Sequence, residues 1–529
     1  MVSHQHGRQG GEPDAPRQPP DEAAPDEAAP EEAGPDDAAS GEAAPGAPNL
    51  EQVLAAAREL GTFTVDLDEA DLPDLLRAGG GKGRCLWARG ELRLLGVGEA
   101  LRVPLPPGWA QPAHTRFVSE VLSAIAATDG HGRSPNPDGG ASHGALAGTD
   151  GAPLGASGTP RGDGPPAVRG GPVAIGALPY DPALAGHLSI PRLLIGHRSE
   201  RPGHGDRPGP SSPGEAWATI VAPPAGPWWS GRGRELVEEQ LLGLREENHS
   251  ERLPDAFELV AKMPHDQWER LVEKAVSEMR RGGLDKVVLA RRVDVVANRP
   301  FAVHEALARL AALYPSCTVF HVEGFIGASP ETLVRREGRD IMSNPLAGTV
   351  ARSGDDATDA RLLAELMASA KDRREHQLVV DAIAAQLRPV CASLDIPAAP
   401  SVLPLRNVSH LGTTLTGALR AGVPAGPTAL DLAALLQPTP AVGGHPSGRA
   451  LRWQRDNEGF ERGVYAGPVG WMDSHGNGEW ALGLRCAHVS GAHASLYAGN
   501  GIVVGSDPGA ELAETQLKLQ ALLAALVRP

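Results

Sequence analysis

The sequence predicts an α+β fold, on the order of its segments and on their period. Strand-like segments follow one another in the second half with no helix between several of them, which speaks against strict βαβ alternation. Among them stand windows whose apolar residues recur at helical spacing. No internal repeat is present. Residues 53–60 are weakly helical, while 84–87 and 92–97 form strands around a turn at Gly90. Residues 117–127 carry Val118, Val121, Leu122 and Ile125 on one helical face, ended by a glycine-rich run. From Met263 the pattern strengthens into a helix over 266–281, a strand over 286–296, a helix over 303–314 and strands over 318–325 and 331–337. A long helical region over 359–387, a helix at 429–435, strands at 464–472, 478–488 and 493–504, and a closing helix over 509–527 complete the order.

A length of 529 residues allows two to four domains, but 65 glycines and 49 prolines are clustered, so part of the chain is non-globular. Residues 1–48 hold eleven acidic side chains against Arg8 and Arg17, a net of −9 within a chain total of −16. With almost no large apolar groups, that tail has nothing to offset its ordering entropy and is expected to be disordered. A Gly/Pro-rich insertion at about 128–171, and a shorter stretch near 200–215, interrupt residues 49–262; residues 263–529 form the remaining region. The acidic balance disfavours nucleic acid and anionic membrane surfaces as partners. Cys85, Cys317, Cys391 and Cys486 lie far apart with no CxxC pair, as reduced core thiols do. The first residues lack an apolar signal region and no run of 18 apolar residues occurs, so a soluble cytoplasmic protein is expected.

Several polar residues stand out. Lys286 heads the apolar strand DKVVLARRVDV, where a lysine is commonly a solvated edge residue. Glu331 follows a Ser329-Pro330 turn, and SNPLAGTV offers a short loop whose Gly348 and Thr349 can bring N–H groups to an anion. Glu375 lies in KDRREH, six polar residues inside a helix, some of which must point inward if both flanks are buried. In the closing helix Glu511, Glu514 and Lys518 share one face, as a solvated ion-paired face would. The glycine-rich turn that delivers this helix is not spaced as GxGxxG, and acids follow where a phosphate needs none. Carboxylates converging from separate helices suit a hard divalent cation instead.

In the order DKVVLARR, GASPETLVR, SNPLAGTV, KDRREH, LLQPTPAVGGHP, VYAGPVGW, ALGLRCA and LYAGNGIVVGSDPGAELAETQLK, the chain resembles the chorismate-utilising enzymes over about half its length. LWARGELRLLGVGEALR and VAIGALPYDPA are similar to the N-terminal part of isochorismate synthases in particular. The resemblance implies two stacked, largely antiparallel sheets flanked by outer helices, with residues 263–529 as the chorismate-binding region. It implies Lys286 as general base and Glu331 as general acid, Glu375 and Glu514 with Glu511 as ligands of Mg²⁺, and Arg485, Tyr465, Gly499 and Lys518 as contacts to substrate carboxylates. Gly348, Thr349, His410 and Thr439 would complete the pocket. Members that install nitrogen lack the lysine at Lys286, and the aminodeoxychorismate branch has a lysine where this chain has Ala347. Water is therefore the expected nucleophile, with no glutaminase subunit. The reaction implied is Mg²⁺-dependent conversion of chorismate to isochorismate; a salicylate synthase, or a non-catalytic chorismate-binding regulator, is the alternative. A monomer is favoured.

Overall fold

The computed structural model describes residues 49–126, 170–199, 214–229, 231–247, 252–421 and 426–527. The acidic tail and nearly all of the two Gly/Pro-rich stretches lie outside the described residues.

Antiparallel ladders build two large sheets. The first runs from the edge strand Phe257–Ala261 through Lys286–Ala297, His493–Ile502, Cys486–Ser490, Phe325–Ser329 and Thr318–Val322. It continues through Arg84–Arg89, Leu92–Leu105, Gly186–Arg198 and Glu215–Ala222 to Gly61–Leu67. The second runs Val173–Ala177, Pro468–Asp473, Gly478–Leu482, Thr332–Glu337, Asp340–Asn344, Leu415–Leu419, Cys391–Asp395. Among the described residues one pair, Ile175 opposite Ser189, links them. Each sheet thus joins strands from both halves of the sequence. One apolar cluster takes Trp87, Leu94, Phe320 and Phe325 from the first sheet and Val334, Trp471 and Trp480 from the second. A separate three-stranded sheet joins Leu346–Ala351 to Val408–Gly412 and Ser401–Pro404.

Helices cover the first sheet. His265–Arg280 buries Trp268, Leu271, Val272, Ala275, Val276 and Met279, a three- and four-residue spacing that faces Val287, Leu289 and Ile502. Truncating a buried tryptophan such as Trp268 costs about 3–5 kcal/mol. Val303–Leu313 and Pro508–Val527 pack Leu307, Leu310 and Leu522 on Val295 and Leu496. No helix among the described residues is long and apolar enough to cross a membrane.

The structure corrects four expectations. The segment 318–325 is not one strand: Glu323 and Gly324, both at positive φ, turn it into the hairpin Thr318–Val322/Phe325–Ser329. Residues 478–488 likewise divide into Gly478–Leu482 and Cys486–Ser490, interrupted at Arg485 (φ 48°). The helical region 359–387 is two helices, Asp356–Ala368 and Ala370–Leu387. Ser369 breaks it because its extended backbone lets the hydroxyl accept from the Asp372 N–H at 3.2 Å, capping the second helix. Finally, SNPLAGTV is not a loop: it joins Asp340–Asn344 to Leu346–Ala351, each held in a ladder. All four cysteines are free thiols.

Candidate active site

Alternation along Lys286–Ala297 positions the first functional side chain. Val287 and Leu289 enter the core beneath His265–Arg280, so Lys286 and Val288 face the other way, into a cavity. Lys286 is no solvated edge residue. The short strand Gly444–His445 pairs across it, leaving it 1% exposed with Nζ 2.9 Å from Glu375 Oε1. Glu375 arrives from the second turn of Ala370–Leu387, a placement that depends on the Ser369 cap.

Glu331 lines the same cavity from the second sheet and is 4% exposed. The turn before Thr332–Glu337 is tightened by the Glu331 N–H donating to Ser329 Oγ at 3.3 Å. Loss of hydration pushes the carboxyl up to about 8, against the opposing pull of the Leu346 N–H and of Lys286, Arg485 and Lys518. Glu331 is therefore a neutral acid at pH 7, a proton donor in a cavity that also holds an amine.

The closing helix supplies the third group. Glu514 pairs with Lys518 at 2.7 Å, and Lys518 also donates to the Gly499 carbonyl (2.9 Å) and to Asn500 Oδ1 (3.1 Å). Lys518 thereby ties the helix to the strand His493–Ile502. Glu511 accepts from Asn500 Nδ2 at 3.0 Å; burial and the charge of Glu514 raise its pKa. Burial also opposes ionisation of Glu514, but Lys518, Thr349 and Arg485 outweigh it and lower its pKa. Glu375, Glu511 and Glu514 all face the cavity, yet among the described residues no three His, Cys, Asp or Glu side chains are gathered tightly enough to hold a metal ion as they lie. Each carboxylate is turned instead toward a lysine or an amide.

Arg485, Tyr465, Gly499, Gly348, Thr349 and His410 line this cavity too; Thr439 does not. The Thr439 carbonyl accepts from the N–H groups of Val442 and Gly443, and its buried hydroxyl has no partner, so it shapes a neighbouring turn. Sequence reasoning missed Arg462, Tyr497 and Gly501. Arg462, buried, donates to the carbonyls of Val288 (2.8 Å) and Val442 (2.9 Å), pairs with Glu458 and lies over the ring of Tyr180. Tyr497 stacks on Tyr465 with centroids 5.1 Å apart. Gly501 is a close approach: a Cβ there would stand 2.5 Å from Glu375 Oε1 and 2.7 Å from Lys286 Cε. Gly501→Ala should displace both groups and lower kcat by about 100-fold, with the fold intact by circular dichroism.

A buried cavity opposing a proton-bearing carboxyl to an amine, with four further carboxylates and two guanidinium groups around it, is an enzyme active site for a small anion. Residues 233–527 match the family model described as chorismate binding enzyme. The chain is 34% identical over 366 residues to the isochorismate synthase DhbC of Bacillus subtilis, covering 67% of this chain and 81% of that protein. It is 43% identical over 267 residues to the salicylate biosynthesis isochorismate synthase of Pseudomonas aeruginosa, covering 49% and 54%. In fold it is similar to MenF, the menaquinone-specific isochorismate synthase of Escherichia coli, with a TM-score of 0.66 at 24% identity over 90% of this chain and 99% of that one. The chain belongs to the chorismate-binding enzyme family.

Proposed function

We propose that this protein is an isochorismate synthase, using Lys286 as base and Glu331 as acid, and that it works in the cytoplasm without a glutaminase partner. The observation that carries the reading is the buried Glu331, held protonated near neutrality in the cavity that contains Lys286. The 34% identity to a relative named for this activity supports it. The step takes the uncharged amine: once Lys286 has left Glu375 and given up its extra proton, its lone pair takes a proton from water as the oxygen bonds to C2 of chorismate. The two ring double bonds shift, the C4–O bond breaks, and Glu331 delivers its proton to the departing hydroxide, which leaves as water. One water enters and one leaves, so no redox cofactor is needed. Arg485 offers a planar fork to a substrate carboxylate, beside Tyr465 and the backbone of Gly499.

The donor set fits Mg²⁺ in kind: oxygen ligands from two helices, with a repulsion between Glu511 and Glu514 that a dication would relieve. Glu375 and Glu514 would hold it, with Glu511 bound directly or through water. When bound, the ion would pin the ring carboxylate and reverse the sign of the field the acids present to a dianion. Purified protein given chorismate and Mg²⁺ should accumulate isochorismate by chromatography, and chelation with EDTA should abolish turnover until Mg²⁺ is restored. Salicylate plus pyruvate, formed without an added lyase, would replace this reading with a salicylate synthase.

A further inference from the structure

The cavity contains a one-way chain of hydrogen bonds that runs from the Arg485 guanidinium through His410 and Thr349 to the Glu514 carboxylate. Arg485 Nη2 lies 3.0 Å from His410 Nε2, and His410 Nδ1 lies 3.1 Å from Thr349 Oγ1. The Thr349 hydroxyl in turn bonds the Glu514 carboxylate. A guanidinium has no acceptor, so His410 Nε2 must be bare and accept. The ring proton then sits on Nδ1, where the Thr349 hydroxyl at 3.1 Å and, less closely, the Gly348 carbonyl at 3.4 Å accept it, and the hydrogen of Thr349 is left for Glu514. Along the chain every bond points from the cation toward the carboxylate. His410 is 6% exposed and stands in the strand Val408–Gly412, with its neighbours Ser409 and Leu411 buried, so the ring has little room to turn. Residue 349 stands directly opposite it in the ladder, which fixes the second bond by strand register.

We infer that His410 is a positioning residue, a neutral Nδ1–H imidazole that joins Arg485 to Glu514 through Thr349, so that the groups for the two ends of a dicarboxylate are oriented as one unit. The inference rests on the chorismate reading for the ligand, while the bond order rests on the geometry alone. Arg485 at positive φ and with a side chain drawn from water is the group that most needs an external hold. Serial hydrogen bonds in a dry cavity polarise one another, so breaking the middle should be felt at both ends.

Three variants separate this from a merely structural role. His410→Leu removes both bonds, His410→Gln keeps an acceptor for Arg485, and Thr349→Val cuts the link to Glu514 at constant shape. His410→Leu should weaken chorismate binding, read by tryptophan fluorescence at saturating Mg²⁺, by about tenfold. His410→Gln should recover most of that loss. Mg²⁺ affinity by calorimetry, with chorismate withheld, should fall in both His410→Leu and Thr349→Val, and the double variant should be no worse than the weaker single. Additive losses, or His410→Gln no better than His410→Leu, would overturn the relay. Nitrogen NMR of ¹⁵N-histidine protein, with His410→Gln to assign the signal, reads the tautomer without any ligand: a proton on Nε2 sinks the inference even if chorismate turns over. Failure of the unmutated protein to bind chorismate, with an Nδ1–H ring present, sinks the functional reading instead.

Discussion

Glu331→Gln should lose about 10²- to 10⁴-fold in kcat, the range a positioned general acid contributes, while the protein becomes more stable at pH 7 to 8. Both effects have one cause. The carboxyl is raised from 4.5 to about 8 by desolvation, so at neutral pH it is kept protonated, at a cost that the unfolded chain does not bear. Between pH 4.5 and about 8 the folded state holds a proton the unfolded state has lost, so stability falls as pH rises across that window and levels off above it. Glutamine is isosteric, never ionises and removes the slope. Its melting temperature at pH 8 should therefore exceed that of the unmutated protein, while the two converge below pH 4.5. In the unmutated enzyme kcat should decline as pH climbs through about 8, since a deprotonated acid cannot release the C4 oxygen. An undiminished rate in Glu331→Gln would remove Glu331 from the chemistry; a lost rate with a lower melting point would mean the substitution broke the site rather than the proton transfer.

What could be read from the residues alone divides by the range of the interactions that decide it. The helix His265–Arg280 was legible because its apolar spacing is local and strong, and the strand Lys286–Ala297 because four of its first six side chains are apolar, in an unbroken run. The chemistry of Lys286 was not legible from its position in that strand. Whether a lysine at a strand edge is solvated depends on what covers it, and the cover, Gly444–His445, lies more than 150 residues away in sequence. The hairpin at Glu323 escaped for a different reason. Its turn uses Glu-Gly at positive φ where Asn-Gly or Asp-Gly would have announced it, and both flanks are apolar enough to read as one strand. Motif order did identify the residues around the cavity, because the spacing of whole motifs carries information that no single residue does. It failed at Thr439, quoted within a matching motif but facing a neighbouring turn, and it passed over Arg462 and Gly501. A buried arginine that binds carbonyls, and a glycine that matters because of what stands beside it, leave no local pattern.

Lys286→Ala should abolish water addition, with kcat down by about 1,000-fold or more and chorismate binding retained. The reason for separating the two readouts is the position of the amine. Lys286 Nζ meets Glu375, not the guanidinium that would take a substrate carboxylate, so its removal deletes a proton acceptor rather than an anion clamp. The substitution has a second consequence. Glu375 is left in a largely buried position without its counter-ion, and breaking such a pair costs about 3–5 kcal/mol. The metal-free variant should therefore melt lower than the unmutated protein, and Mg²⁺ should raise its melting temperature by more than it raises that of the unmutated protein, because the ion then replaces the positive partner that Glu375 has lost. Lys286→Met, which fills the space but carries no charge, should reproduce the lost rate and the larger response to Mg²⁺ with less loss of packing. Two outcomes would recast the residue. Chorismate affinity lost in step with kcat would make Lys286 a substrate clamp. Equal stabilisation of both proteins by Mg²⁺ would mean that Glu375 is not the carboxylate that meets the metal.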